Sequence, residues 1–330
     1  NTAMGREALS SNTSGASNTG LGIWAGHGNA TGGGNTYVGA SAGRGTANQN
    51  NNENVAVGFN AMLNVTTGSY NTAVGYNALD ASTTGEKNTA IGNGSLGGIV
   101  GGYNNTAVGW NAGLSLTTGV GNVALGLRAL DAAAHGESSN IAIGADSLGA
   151  AKENVPSSGS NAHTVDHNIA IGDNAMLGGD LGTGTGVLTF QGNIAIGGNA
   201  MDATGANQQT GTIAIGYNSL TDLTAGWGST AIGYQSGANV TTGDYNTAFG
   251  YNSLGGNTTT ALTGDRNTVI GASAGRDMQG ATTGNTLVGD SSGIALTTGS
   301  YNTAIGYQSG DSITEGNSNV LVGRGTGVAM

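Results

Sequence analysis

The chain lacks cysteine, has a single proline and carries few charged or aromatic side chains among its 330 residues. Without cysteine, neither a disulfide framework nor a thiolate metal site can form. Charged residues make up 8% of the chain, whereas they make up about a quarter of an average globular protein. No apolar run is long enough to cross a membrane as a helix, so we expect no membrane insertion.

The charges that are present are mostly acidic, with 8 basic and 19 acidic residues and a net charge of −11. Nucleic-acid binding needs clustered lysine and arginine, and an anionic membrane surface attracts the same residues. We therefore expect neither of them as a partner. The net charge instead favours solubility and mutual repulsion between molecules.

Glycine is abundant, at 65 residues, but an apolar content of 37% is too high for a disordered linker. The apolar residues recur in a pentapeptide of Asn, a β-branched residue, usually Ala, a large aliphatic residue and Gly. The commonest step between copies is 17 residues, and every exception is longer. Such a pattern is typical of coils that accept loop insertions but no shortening. The first residues of the 18 copies are Asn1, Asn18, Asn35, Asn54, Asn71, Asn88, Asn105, Asn122, Asn140, Asn168, Asn193, Thr212, Ser229, Asn246, Asn267, Asn285, Asn302 and Asn319.

A complete repeat is NTAVGYNALDASTTGEK, residues Asn71–Lys87, whose positions are numbered 1 to 17. Side chains alternate along a strand, so positions 2 and 4 share one face and position 3, which is mostly Ala, lies on the other. Position 4 is always large and apolar, and position 2 is Thr, Val or Ile, which favour strands. So few large apolar residues give a thin core, which makes the Ala face a candidate for contact between chains.

Glycine fills position 5 of every repeat, which predicts a bend or a backbone approach that no Cβ tolerates. Position 9 is Leu or Met in many repeats. Where it is Gly, position 12 is usually large, which indicates conserved core volume. Gly26 and Gly43 are exceptions, because Asn29 and Thr46 follow them at position 12. At positions 13–15, the segment Thr83–Gly85 predicts a return turn in which Gly adopts a positive φ and the hydroxyls bond local backbone.

These patterns predict an all-β fold, a parallel β-solenoid with one coil per repeat and about two short strands in each coil. A repeat of 17 residues is too short for a strand–helix unit and too rich in Gly for helices. About 18 coils stacked at about 4.8 Å would form a rod of roughly 85 Å. We expect one elongated domain over residues 1–330, with longer loops at 145–167 and 173–192 that project from one zone.

Three segments match the nucleophile-elbow pattern G-x-S-x-G, at Gly39–Gly43, Gly271–Gly275 and Gly289–Gly293. All three occupy positions 5–9, where other repeats read GYNAL or GYQSG. An elbow also needs a strand–turn–helix context and a partner His, and the chain shows no helix pattern. We therefore predict that the protein is not an enzyme and uses no cofactor.

His163, Asp166 and His167 form an H-x-x-D-H motif in the first long loop. Nitrogen and oxygen donors at this spacing could hold a metal ion. A polar loop that happens to contain His is the simpler interpretation. We therefore predict no metal site and keep these three residues as the weak candidate.

Position 6 is often aromatic, and Tyr217, Tyr234 and Tyr251 occupy it in three successive repeats. We expect their rings to stack into a ladder along the coils. The ladder could be a platform for sugar rings, since aromatic faces are apolar and the hydroxyl is polar, or it could merely stabilise the stack. Asn at position 1 predicts a second ladder, in which side-chain amides bond one another along the axis.

The unit N-T-A-[VI]-G-Y-[NQ]-[AS]-[LG], which recurs over nearly the whole of residues 1–330, resembles the head repeats of trimeric autotransporter adhesins. It is even more similar to the NTAxGYxAL…TTG arrays of phage tail-fibre-like proteins. The resemblance implies a left-handed β-roll, a homotrimer and a role in attachment. Two departures are a repeat longer than the adhesin consensus and the lack of a membrane anchor, coiled-coil stalk or chaperone domain.

Taken together, these observations predict an extracellular fibre segment, from a phage tail fibre or a surface adhesin, that contacts a host-surface glycan or receptor. The start in register at Asn1 without an initiator Met indicates a processed chain or a segment of a longer protein. One alternative is a structural filament of chains joined end to end. Another is an ice-binding solenoid with flat Thr arrays, although Val or Ile replaces Thr at position 2 in several repeats, which indicates a partly buried site.

Overall fold

The computed structural model describes residues 1–46, 48–132, 136–149, 164–178, 189–203, 208–255 and 260–327. These residues form short β-strands joined by turns, and no helix occurs among them. The chain divides into two compact units, Asn1–Glu153 and Asn154–Met330. One elongated domain over residues 1–330 stays a prediction.

The first unit has nine three-residue strands among its described residues, and each begins at position 2 of a repeat. Consecutive strands pair in parallel without a register shift, so that Thr72 pairs with Thr89 and Val74 with Ile91. Equivalent repeat positions therefore lie above one another. The strands are β1 (Thr2–Met4), β2 (Thr19–Leu21), β3 (Thr36–Val38), β4 (Val55–Val57), β5 (Thr72–Val74), β6 (Thr89–Ile91), β7 (Thr106–Val108), β8 (Val123–Leu125) and β9 (Ile141–Ile143).

The second unit repeats this arrangement and adds a second parallel sheet of four short strands, which lie just before position 1. The strands at position 2 are β11 (Ile169–Ile171), β13 (Ile194–Ile196), β15 (Ile213–Ile215), β17 (Thr230–Ile232), β18 (Thr247–Phe249), β19 (Thr268–Ile270), β20 (Thr286–Val288), β21 (Thr303–Ile305) and β22 (Val320–Val322). The added strands are β10 (Thr164–Asp166), β12 (Thr189–Gln191), β14 (Gln209–Thr210) and β16 (Gly226–Trp227).

The predicted fold class is confirmed as an all-β, parallel β-solenoid of about 18 coils with a repeat of about 17 residues. The expectation of two strands per coil holds only where the added strands occur. In some coils of the first unit, the same stretch forms isolated parallel bridges, such as the bridge between Glu86 and Tyr103. Coil handedness and the number of chains stay predictions from the resemblance. Most of the loops at 145–167 and 173–192 lies outside the described residues.

The Ala face of each strand points into the coil, which overturns the expectation that it contacts another chain. Ala73, Ala90 and Ala107 are fully buried, whereas Ile91 and Val108 at position 4 are 40% and 37% exposed. The reason is space. The coil interior is narrow and already holds a large side chain from position 9 or 12, which leaves room for a methyl group at position 3.

The exceptional Gly26 and Gly43 are explained by Tyr37, which stands at position 3 in place of Ala and is fully buried. A Cβ on Gly26 would lie 2.6 Å from the Tyr37 ring, and one on Gly43 would overlap it. The ring thus supplies the volume that position 12 supplies elsewhere. Conserved core volume is confirmed as the basis of the swap, with position 3 as a third contributor.

Backbone conformation is a second reason why Gly can replace Leu or Met at position 9. Leu79 has a φ of 56° and Gly113 a φ of 62°, so position 9 lies in the left-handed region with either residue. A Leu in this region is strained, whereas Gly adopts it freely. The repeats with Gly at position 9 therefore have a relaxed backbone there, while position 12 or position 3 supplies the core volume.

The return turn forms as predicted, but its Gly acts differently. Gly85 does not have a positive φ, and instead its α-carbon faces the next coil, where a Cβ would lie 2.8 Å from the Gly102 carbonyl oxygen. Close stacking of the coils, not turn geometry, excludes a side chain there. The Thr66 hydroxyl donates to the Thr83 carbonyl of the next coil at 2.8 Å, so this hydroxyl joins coils instead of closing a local turn.

The amide ladder at position 1 is confirmed. Asn88 is fully buried, and its Oδ1 accepts from the backbone N–H of Asn105 at 3.0 Å and from the Asn105 amide at 3.1 Å. Its own Nδ2 donates to the Gly102 carbonyl at 2.8 Å. Each Asn thus ties one coil to the next and closes its own turn, which satisfies buried polar groups that would otherwise be costly.

Candidate binding surfaces

The tyrosine ladder occupies the outer side of three coils of the second unit. The rings of Tyr217 and Tyr234 are 5.7 Å apart with a tilt of 17°, and those of Tyr234 and Tyr251 are 5.4 Å apart with a tilt of 10°. The predicted stacking is therefore confirmed. Between 45% and 55% of each residue is exposed. The ladder presents ring edges and hydroxyls to solvent, which a polar ring-shaped ligand could contact.

Glycine at position 5 holds these rings in register. Gly216 and Gly233 have φ values of 137° and 135°, a conformation that is costly for any residue with a Cβ. A Cβ on Gly233 would also overlap the carbonyl oxygen of Gly250 in the next coil. The backbone approach predicted for this position is therefore confirmed. The tight contact places every side chain at position 6 directly above its neighbour.

Positions 2 and 4 form a second outward surface, which is named the apolar face. It is built from Thr, Val, Ile, Leu, Met and Phe in every repeat and carries no charged side chain at these two positions. Its exposed members at position 4 are Met4, Ile91, Val108, Phe249, Ile270, Ile305 and Val322. Exposed apolar side chains that recur from coil to coil within each unit are a candidate interaction site.

The proposed metal ligands are only partly described. His163 lies outside the described residues, Asp166 ends β10, and His167 follows it with a φ of 58°. Within the described part of the chain, no group of three or more His, Asp or Glu side chains is placed to hold a metal ion. The weak metal candidate stays untested because one of its three residues is not described.

The serines of the three G-x-S-x-G segments, Ser41, Ser273 and Ser291, have φ values of 59°, 53° and 56°. Asn77, which occupies position 7 of a repeat without this pattern, has a φ of 51°. All four residues thus share one backbone conformation, which the repeat imposes at position 7. The motif arises from the repeat and not from a strand–turn–helix segment.

A cluster around Trp24 escaped the sequence analysis. The guanidinium carbons of Arg6 and Arg44 lie 4.8 and 4.9 Å from the Trp24 ring, and the indole N–H donates to Glu7 at 3.0 Å. The four residues come from three successive repeats: Glu7 and Trp24 share position 7, whereas Arg6 and Arg44 lie at positions 6 and 10. A search for charged residues near an aromatic residue one repeat away would have found them. Such cation–π contacts stabilise the stack of coils.

Comparison with models of known protein families gives no match, and comparison with curated proteins gives no relative. A search of the described residues for a helix that is long and apolar enough to cross a membrane finds none.

Proposed function

We propose that this chain is a non-enzymatic, extracellular fibre segment, from a phage tail fibre or a surface adhesin, that forms a rigid shaft and attaches to a host surface. The observation that carries the proposal is the apolar face, which recurs at each coil and is partly exposed in the single chain. A shaft needs lateral association to become stiff, and this face provides the surface for it. The repeat resemblance adds the role in attachment.

The occupant of the apolar face is a second copy of this chain. Its strands are spaced at the inter-strand distance, about 4.8 Å, so only a partner with the same spacing can match it coil by coil. A globular partner would cover a few coils and leave the rest exposed. A copy of the chain carries the same repeat, and association of identical chains is the commonest route to a symmetric assembly. The number of three chains comes from the resemblance.

The surface that contacts the host is proposed to include the ladder of Tyr217, Tyr234 and Tyr251. Its rings lie at position 6, which is separate in the repeat from positions 2 and 4 of the apolar face. Stacked aromatic rings with free hydroxyls suit a glycan, whose rings have apolar faces and polar rims. A glycan or a receptor that bears one is therefore the proposed partner.

The proposal is tested by measuring the mass of the chain in solution by light scattering and its shape by negative-stain imaging. We expect a mass about three times the chain mass of 32.0 kDa. A variant with Asp at Ile91, Val108, Phe249 and Ile270 should dissociate, because buried unpaired carboxylates are costly. The matched control carries Asp at Tyr76, Trp110, Tyr234 and Tyr251 and should remain trimeric. Filaments of indefinite length would favour the end-to-end polymer, and a wild-type monomer would contradict the shaft.

A second candidate, an ice-binding solenoid, is favoured by the outward placement of Thr at position 2. Thr72, Thr89 and Thr106 are partly exposed on successive paired strands. They form a regular row, and their partial burial agrees with the expectation that position 2 is a partly buried site. A monomer that shows thermal hysteresis of freezing would support ice binding. A trimer without hysteresis would leave the attachment shaft as the function.

A further inference from the structure

The coil at residues 88–104 lacks two outward side chains that its neighbours carry. It has Gly94 at position 7 and Gly97 at position 10, whereas both flanking coils have longer residues at these positions. A groove of about 370 Å³ opens there, and its lining includes Asp80, Asn93, Asn111 and Leu114. The two glycines thus leave room for a small ligand or for one side chain of a partner.

One half-buried carboxylate faces this space. The Asp80 Oδ1 would lie 3.4 Å from a Cβ built on Gly97, so it borders the volume that this glycine leaves open. Shelter from water raises the pKa of the Asp80 carboxyl, against the opposing effect of nearby backbone N–H groups. None of the ion pairs among the described residues includes Asp80. The groove therefore holds a negative charge for which the described part of the chain supplies no cation.

An amide oxygen and a methyl group border the same space. The Asn111 Oδ1 would lie 2.5 Å from a Cβ built on Gly94. The Leu114 Cδ1 would lie 3.1 Å from a Cβ on Gly97 and 3.6 Å from one on Gly94. Asn93, which also lines the groove, is exposed and adds a second amide. Acceptor oxygens and an apolar contact thus border one small volume.

The chemistry of this lining selects the ligand. No basic side chain lines the groove as described, so an anion would find no counter-charge. Calcium takes about six to eight oxygen ligands, and no group of three or more His, Asp or Glu side chains is placed to hold a metal in the described part of the chain. A primary ammonium group carries one positive charge and several N–H donors, and an alkyl stem packs well on an apolar side chain. It is the ligand class that uses the carboxylate, the amides and the methyl group together.

We propose that this groove binds a primary ammonium group on an alkyl stem, such as a lysine side chain of a partner protein, with Asp80 and Asn111 as acceptors and Leu114 against the stem. The inference goes beyond the attachment shaft and does not rest on it. The lining residues come from three successive coils of one chain, and none of them lies at position 2 or 4 of the apolar face. A partner's lysine and a free alkylamine share this chemistry, and the test separates them.

The test titrates the isotope-labelled full chain with Nα-acetyl-lysine methylamide and, separately, with cadaverine, and it follows the amide signals of Gly94 and Gly97 by NMR. The wild-type chain should show saturable shifts at these two residues. Asp80→Asn keeps the shape and removes the charge, so it should weaken binding at least about tenfold through loss of a charge-assisted hydrogen bond. The same lysine derivative acetylated at Nε keeps the stem without the charge and should not bind.

Two further variants show whether the groove itself is the site. Gly94→Asn places a side chain in the groove and should also weaken binding. It should fold, because Asn77 and Asn111 occupy the same position with φ values of 51° and 55°, close to the 65° of Gly94. Asp311→Asn is the matched control, because Asp311 also stands at position 10 but does not line the groove, and it should leave binding unchanged.

Each outcome decides the proposal. Binding that Asp80→Asn loses and Asp311→Asn keeps supports it. Tighter binding of the lysine derivative than of cadaverine then indicates a protein partner, and the reverse indicates a free amine. A wild-type chain that binds neither amine overturns the proposal, as does binding that Asp80→Asn leaves intact. Shifts at Gly94 with calcium chloride and with neither amine would replace the ammonium group with a metal ion. None of these outcomes bears on the mass of the chain in solution, so the shaft is tested separately.

Discussion

Two rows of side chains at position 6 differ in one respect. In the second unit, Tyr217, Tyr234 and Tyr251 form an unbroken stack, whereas in the first unit Asn93 interrupts the row between Tyr76 and Trp110. The first arrangement gives a continuous row of stacked rings, and the second separates two aromatic residues by an amide side chain. One repeat therefore accommodates both arrangements by a change of side chain alone.

The interruption does not disturb the backbone. The N–H of Gln235 donates to the Tyr217 carbonyl at 2.9 Å, and the N–H of Asn111 donates to the Asn93 carbonyl at 2.9 Å. Inter-coil hydrogen bonds are thus the same with and without a ring. Inward residues and glycines maintain the coil, and outward residues are free to vary, which is where a repeat protein places its binding function.

The largest effect should come from Gly233→Ala, which breaks the ladder through the backbone. Its new Cβ would overlap the Gly250 carbonyl oxygen, and its φ of 135° is strained for Ala. We expect a loss of about 3 kcal/mol or more in local stability, measured by hydrogen exchange of the amides around Tyr234. Gly92→Ala should have the same effect in the coil that carries Asn93, because its Cβ would overlap the Gly109 carbonyl oxygen.

Gly211→Ala is the control for this prediction, because its φ is 67° and a Cβ there would meet no described atom within 4 Å. It should cost about 1 kcal/mol, from backbone conformation alone. Equal losses in Gly233→Ala and Gly211→Ala would mean that the close approach of the coils is not what requires glycine.

A smaller effect, of opposite sign, is expected from Thr212→Asn in the coil that carries Tyr217. The Thr212 Oγ1 is buried and has no hydrogen-bond partner among the described residues. The Asn88 side chain at the equivalent position makes three hydrogen bonds through its Oδ1 and Nδ2. An Asn at 212 would restore the amide ladder and should stabilise this coil by about 1 kcal/mol. Urea denaturation followed by circular dichroism measures the gain.

Thr212→Val distinguishes the stability gained by restoring the amide ladder from the stability gained by removing a buried, unpaired hydroxyl. It removes the unpaired group without adding an amide, so it should stabilise the coil by less than Thr212→Asn does. An Asn variant that is no more stable than the Val variant would show that the amide ladder adds nothing at this position.

The smallest effects should come from exchanging the two rows. Tyr234→Asn turns the ladder into an interrupted row and should cost about 0.5–1 kcal/mol, since it removes two exposed stacking contacts. Asn93→Tyr completes the other row and should gain a similar amount. Thermal unfolding measures the change in stability of each variant. A destabilised Asn93→Tyr would show that the row cannot accept a ring at position 93.

Much of the architecture could be predicted from the sequence because the repeat recurs so often. Eighteen copies of one pentapeptide fix the parallel stacking, the register and the role of Gly at position 5. The Tyr ladder and the Asn ladder follow from the same register, since equivalent positions must lie above one another. The unusual pair Gly26 and Gly43 could not be explained from the sequence, because Tyr37 fills their space from a different position.

Which of the two faces of each strand is buried could not be predicted from the sequence. Period two places position 3 opposite positions 2 and 4, but it does not say which side is inside. The larger residues at position 4 suggested the core, whereas the narrow coil takes Ala73 and its equivalents inward and leaves Ile91 outward. Hydrophobicity alone therefore indicated the wrong face of the strand as the buried one.

The sequence by itself determined the repeat, its length, the all-β class and the order of the stack, because these depend on periodicity along the chain. Only the tertiary structure decided which face is buried, why Gly85 has no side chain and where Gly94 and Gly97 open a groove. Those features depend on distances between coils. A coil interior has a fixed width, and what fits inside it determines which apolar residues are left outside.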